Sequence, residues 1–262
     1  MERIPREIGI PVLTMRFRIL IPVLLACASA PLVGQTVAAP APSADEVIAR
    51  MFTHEVQREV AAGGYRGNRQ YVLDNPRFDK QARMEVRVTC APDGTETFQV
   101  VSEQGWKSAN LLLRKILESE SETSMPLERA KSRVTSDNYR FQMIESAPLD
   151  GRLAYVIDVI PKRQDVVLFR GRIWVDAEDY ALARVEGEPA RITSVWIHSV
   201  HFTQEFRKSG EYWFPSSTTS ITEARMLGKT TVDIHHFDYV PLAEKADRNT
   251  NPQLVEAHYA KR

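Results

Sequence analysis

From residue 139 to residue 239 the chain repeats one pattern, and that pattern limits its fold more than any other feature. Seven segments, 139–146, 153–160, 166–175, 181–186, 194–208, 212–222 and 230–239, are rich in β-branched and aromatic residues, the side chains that suit a pleated surface. The residues between them are turn formers: Asp150-Gly151, the stretch 176–179, Glu188-Pro189, Ser209-Gly210 and Gly228. Connections this short leave no room for crossover helices, so consecutive strands must run antiparallel.

Three further strands are predicted upstream, at 66–73, 82–90 and 95–102. In Ala82-Arg83-Met84-Glu85-Val86-Arg87-Val88-Thr89-Cys90 apolar and polar residues alternate strictly, which gives a strand with one wet and one dry face. Pro92-Asp93-Gly94 then supplies the turn to its hairpin partner. Two segments break the β pattern. Ser43 and Glu46 have capping-box spacing ahead of Val47, Ile48, Met51, Phe52, Val56 and Val60, and Gly63-Gly64 marks the exit of that helix. Leu112, Leu113, Ile116 and Leu117 form an apolar stripe over 106–117, opposite Arg114, Lys115 and Glu118, and predict a second, amphipathic helix. The polar stretch 118–138 is expected to be mainly loop, with some helix near 127–133. Ten strands strain a flat open sheet. The expected fold is therefore mainly β (α+β): a curved antiparallel sheet or half-barrel of about ten strands with a covering helix.

The N-terminus reads as an export signal. Arg16-Phe17-Arg18 precedes an apolar run from Ile19 to Leu25 and the small residues Ala26, Ala28, Ser29 and Ala30, the order of a secretory leader over 1–30. The run is too short for a permanent membrane span. Met15 is an alternative start. Two processing readings stand side by side: Leu24-Leu25-Ala26-Cys27 resembles a lipobox with Cys27 as the acylated residue, and Ala26-Cys27-Ala28 offers soluble release. Residues 31–42 read as a flexible linker, 43–240 as a single domain, and 241–262 as a polar tail. Cys90 is the one cysteine of the folded part, so no internal disulfide is expected; its place in the alternation makes it a small buried hydrophobe.

The 34 basic and 34 acidic residues cancel, so no strong overall field is expected to attract nucleic acid or an anionic membrane surface. No Gly-x-Ser-x-Gly, His-Glu-x-x-His, P-loop or dinucleotide fingerprint occurs. His235 and His236, with Asp233 and Asp238, form the densest group of metal-ligand types, but adjacent strand residues point to opposite faces. The same parity separates His198 from His201. Asp176, Glu178 and Asp179 are read as a solvated hairpin turn. No metal, cofactor or catalytic residue is expected.

Several phrases resemble the LolA-like proteins, the outer-membrane lipoprotein-sorting class. These are Ala44-Asp45-Glu46-Val47-Ile48-Ala49-Arg50, Ala154-Tyr155-Val156-Ile157-Asp158-Val159-Ile160-Pro161-Lys162, the hairpin from Arg172 to Arg184, and Gly210-Glu211-Tyr212-Trp213-Phe214-Pro215. The resemblance implies a half-barrel whose apolar concave face holds the acyl chain of a lipid or lipoprotein, and periplasmic location. Arg170 and Arg172 within a central strand, and the polar insert 118–138, depart from it. Met84, Val86, Val88, Phe98, Trp106, Leu112, Ile116, Phe141, Met143 and Trp174 are the candidate cavity residues, with core packing as the plainer account of each. The expected function is a non-enzymatic envelope protein that binds or carries a lipid. The alternatives are a structural or regulatory protein that binds a partner through a sheet edge, and a hydrolase with a dispersed site.

Overall fold

The structure, a computed structural model, describes residues 41–243. The leader, Cys27, the linker up to residue 40 and the tail after residue 243 lie outside the described residues. Three α-helices and ten strands follow in the order α1 (Ala44–Ala62), β1 (Tyr65–Asn75), β2 (Lys80–Cys90), β3 (Glu96–Gly105), α2 (Lys107–Ser124), α3 (Pro126–Ser132), β4 (Tyr139–Leu149), β5 (Arg152–Pro161), β6 (Phe169–Asp176), β7 (Leu182–Pro189), β8 (Ile197–Ser209), β9 (Tyr212–Ala224) and β10 (Gly228–Pro241). A single 3-10 turn, Pro76–Phe78, joins β1 to β2.

The strands form one curved, open, antiparallel sheet in the order β3-β2-β1-β10-β9-β8-β7-β6-β5-β4. Strands that follow one another in sequence are neighbours everywhere except β3 and β4, which are the two edges. The α2–α3 segment links one edge to the other, and β1 pairs with β10 through Tyr71 and Ile234.

The expected alternation decides which face is inner. In β2, Ala82, Met84, Val86, Val88 and Cys90 are buried, while Arg83, Arg87 and Thr89 are exposed. Following the ladder register from Met84 gives the inner-face row Met84, Tyr71, Ile234, Thr218, Gln204, Val185, Ile173, Ile157 and Met143. The row is apolar or aromatic towards both edges and polar in the middle. Two separate cores result. Val47, Ile48 and Met51 of α1 pack with Tyr139, Ile157, Val159, Ile173, Val175 and Val185. Ala109, Leu113 and Leu117 of α2 pack with Tyr71, Leu73, Met84, Val86 and Ile234. Burial of such side chains contributes roughly 1.5–3 kcal/mol each.

The capping signals place α1 correctly. The Glu46 N–H donates to Ser43 Oγ at 3.2 Å, and Gly63 (φ 59°) ends the helix in the left-handed region that glycine enters without penalty. The insert 118–138 corrects the sequence expectation, because it is mostly helical: α2 runs seven residues beyond 117, and α3 follows at once. Its inward stripe continues past Leu113 and Leu117 with polar groups. Glu120 meets Arg69 and Tyr71, Ser121 Oγ donates to the Glu96 carbonyl, and Ser124 Oγ accepts from the Glu96 N–H. Polar residues with buried partners looked like a loop. Strand ends shift as well: β6 begins at Phe169, after a turn that buries Leu168, and β7 continues to Pro189.

Candidate functional site

Between the two cores the inner face is floored by β8, β9 and β10, and there a cavity of about 430 Å³ opens. Gln204, Phe206, Pro215, Thr218, Ile234 and His236 line its sheet side, and Arg69, Glu96, Glu120 and Thr123 its other wall. The adjoining inner-face residues Phe202 and Phe206 pack towards the α1 core, and Val232 towards the α2 core.

A buried polar cluster borders this cavity. Arg69, only 6% exposed, donates from Nη2 to Glu96 Oε1 at 2.6 Å, from Nη1 to Glu120 Oε2 at 2.8 Å and from Nε to the Tyr239 hydroxyl at 2.8 Å. The Tyr71 hydroxyl donates to the same Glu120 oxygen at 2.8 Å, and the Tyr65 hydroxyl donates to Glu96. The Phe98 ring centroid lies 5.2 Å from the Arg69 guanidinium carbon. A guanidinium with this many acceptors can remain charged away from water.

Burial governs the ionisation of the other members. It raises Glu120 against the opposing pull of Arg69, pushes Tyr239 up to about 12, and pushes His236 down to about 3, helped by the positive charge of Arg69. The neutral His236 ring contacts Tyr239 OH from Nδ1 (3.1 Å) and Thr218 Oγ1 from Nε2 (3.3 Å). The cavity is therefore lined by neutral hydrogen-bonding groups and apolar carbon, with charge held in its wall. Of the paired histidines, His236 sits on the inner face and His235, opposite Gln70, on the outer. Among the described residues no group of three His, Cys, Asp or Glu side chains is placed to hold a metal ion.

The 176–179 turn differs from its expected solvated form. Asp176 is buried, and Arg152 grips it from Nε (2.5 Å) and Nη2 (2.8 Å). Asp179 accepts from Lys208 Nζ at 2.7 Å and Trp213 Nε1 at 3.0 Å. Burial alone would raise Asp176, but Arg152 and the N–H groups of Asp179 and Glu178 outweigh it and hold the carboxyl below its usual range. The acidic trio anchors a corner of the sheet through these cations. Cys90 is buried, as its alternation predicts, and burial with the nearby Glu96 charge pushes its thiol up to about 11.

The ten candidate cavity residues are spread over the molecule. Met84, Val86 and Val88 are fully buried, and Met84 and Val86 pack with Leu113 beneath α2; Phe98 and Ile116 flank them. Phe141 and Met143 belong to the α1 core. Trp106 and Leu112 are exposed. Trp174 is on the outer face of β6, with its ring 5.3 Å from the Arg184 guanidinium. Arg170 and Arg172 also face outwards, Arg172 pairing with Asp158 at 2.9 Å, so charge in a central strand does not interrupt the inner surface. Sequence reasoning missed Arg69, Glu96, Glu120, Gln204 and His236. One signal was available: an odd-numbered Arg69 in register with Tyr71 and Leu73 puts a cation on the dry face of β1.

A family model described as "Family of unknown function (DUF5686)" matches residues 125–237, the stretch from α3 to late β10. No curated protein matches the chain. Among solved structures, a LolA superfamily protein from Nitrosomonas europaea is 9% identical with a TM-score of 0.43, covering 78% of this chain and 96% of its own. An outer membrane lipoprotein-sorting protein domain from Vibrio parahaemolyticus is 13% identical with a TM-score of 0.38, covering 81% and 98%. A DUF1329 family protein from Desulfovibrio piger is 10% identical with a TM-score of 0.38, covering 80% and 99%.

Proposed function

We propose that this chain is a non-catalytic binding or carrier protein of the bacterial envelope, and that its ligand is an amphiphile with an acyl chain and a polar head. The observation that carries the reading is the polar middle of an otherwise apolar inner face, open as a cavity between two cores. Phe206, Pro215 and Ile234 would receive the chain, and Gln204, Thr218 and His236 the head group. Each buried methylene contributes about 0.8 kcal/mol, so a chain of roughly a dozen carbons can offset the ordering costs of binding. Periplasmic location rests on the leader and the LolA-like resemblance. On this reading Met84, Val86 and Leu113 are packing behind the cavity wall. Substitutions there should lower stability before they touch uptake.

The test is native mass spectrometry of protein purified from the cell envelope, with uptake of a fluorescent fatty acid by wild type, Phe206→Asn and Val86→Asn. Added mass of a lipid is expected in the first measurement. In the second, Phe206→Asn should weaken uptake about tenfold, with a smaller loss of melting temperature than Val86→Asn, whose amide would be buried unsatisfied. A wild-type protein that carries no lipid and takes up no analogue overturns the proposal.

A second reading, partner binding by strand addition, draws on the edges β3 and β4, each paired on one side only. Amide exchange protection along β3 on adding envelope extract would favour it.

A further inference from the structure

Four loops meet at the end of the sheet where β1 passes to β2, β3 enters α2, β8 begins and β9 turns into β10. They are tied to one another by hydrogen bonds to backbone carbonyls. The Arg225 N–H donates to the Trp196 carbonyl at 2.9 Å, Asn75 Nδ2 donates to the Leu227 carbonyl at 3.0 Å, and the Trp106 N–H donates to the Gln81 carbonyl at 3.4 Å. Large apolar side chains project from their tips: Val195 (78% exposed), Met226 (68%), Trp196 (57%) and Trp106 (51%), with Leu227 and Phe78 beside them. Scattered apolar residues on a surface are ordinary, but a group this dense at one end marks a contact surface.

Cations stand among these side chains. Arg77 lies 5.9 Å from the Phe78 ring centroid and Lys80 5.1 Å from that of Trp106; Lys107, Arg225 and Lys229 complete the set. None of the five forms an ion pair with another described residue, whereas Arg69, Arg152, Arg172 and Arg184 of the sheet do. The acids at the same end are Asp74, Asp79 and Glu223, against five cations. The neutral composition therefore conceals a locally basic, aromatic-tipped end.

We infer that this end docks on an anionic phospholipid surface, with Trp106 and Trp196 seated at the headgroup level. Tryptophan beside lysine and arginine is the combination that membrane interfaces hold, apolar area and charge acting together. Facing this patch with a second copy would set five cations against five, which opposes self-association. The six apolar side chains are spread over four separate tips, at Phe78, Trp106, Val195-Trp196 and Met226-Leu227, so a fluid, planar occupant fits them better than a shaped peptide. The inference is independent of the proposed ligand, because these loops lie outside the inner cavity.

The experiment uses full-length protein purified from the envelope and vesicles of phosphatidylcholine alone or mixed with phosphatidylglycerol, some carrying brominated acyl chains. Brominated anionic vesicles should quench tryptophan emission, and Trp106→Phe/Trp196→Phe should abolish that quenching. The triple variant Arg77→Glu/Lys80→Glu/Arg225→Glu should lower the partition coefficient at least about tenfold, as should high salt. Quenching is read at the loops themselves, so an acylated N-terminus would not produce it. Absence of quenching in the wild type overturns the inference even if a variant misfolds, and so does equal quenching by neutral and anionic vesicles. A dimer that dissociates on Trp196→Ser, with no quenching, would assign the patch to a second copy instead.

Discussion

The half of the sheet under α1 and the half under α2 show the same strand alternation and bury different chemistry. Beneath α1, the inner positions of β5, β6 and β7 are Ile157, Val159, Ile173, Val175 and Val185, and packing alone accounts for them. Beneath α2, the inner positions of β1 include Tyr71 and Leu73 but also Arg69, held by two carboxylates and a tyrosine. The first half is a hydrophobic layer that tolerates changes preserving volume. The second depends on a network in which every member must be satisfied. The candidate cavity opens beside the network.

The strongest way to break this contrast is Arg69→Met. It strands Glu96 and Glu120 in a buried site, and unfolding in urea should register a loss of roughly 3–5 kcal/mol. Replacing all three charges with apolar residues should recover most of it. A loss below about 1 kcal/mol for Arg69→Met alone would show the cluster to be dispensable. Next in size, Ile157→Ala in the α1 half should cost about 3 kcal/mol through the cavity it leaves. Combined with Arg69→Met, its effect should be additive within about 0.5 kcal/mol. A larger coupling energy would join the two cores into one.

The smallest expected effect is one of pH. Burial lowers His236 from 6.5 to about 3, so between those values the unfolded chain binds a proton that the native one does not, and stability must fall as pH falls from about 6.5 towards 3. Between pH 7 and 5 the loss is up to about 2 kcal/mol, and His236→Gln should flatten it. Glu120, raised by burial, acts in the opposite direction, and its contribution is lost as pH rises through the window above its ordinary value of 4.5. The difference between wild type and His236→Gln isolates the imidazole. Identical melting profiles of the two proteins from pH 7 to 5 would place the ring in water.

Most of the sheet was legible because its signals are local. The alternation in 82–90, the Asp150-Gly151 turn (Asp150 φ 49°, Gly151 φ 80°) and the Ser43 and Gly63 caps each report on a few residues and need nothing distant to be read. Three features were not legible, all for one reason. Pairing of β1 with β10 is a property of residues far apart in sequence. Glu120 and Ser124 look solvated until Arg69 and Glu96 are seen opposite them. Leu112 belongs by spacing to the apolar stripe, yet α2 is rotated so that Leu113 and Leu117 face β2 while Leu112 meets solvent. Spacing identifies a stripe, and only the partner's position decides which side of it is covered.

The strand order has a consequence for how the molecule is assembled. Read from β4 to β10 and onward through β1 to β3, the sheet is an uninterrupted up-and-down succession, and Tyr65 at the start of β1 lies opposite Pro241 at the end of β10. The natural chain enters that circuit in the middle. β1 must wait for the last strand before it gains its second neighbour, which lengthens the loop to be closed and slows folding. A permuted gene that joins the end of β10 to the start of α1 and opens the circuit between α2 and α3 would bring the two strands of the one distant ladder close together in sequence. The natural order instead delays completion of the sheet until its final strand is available.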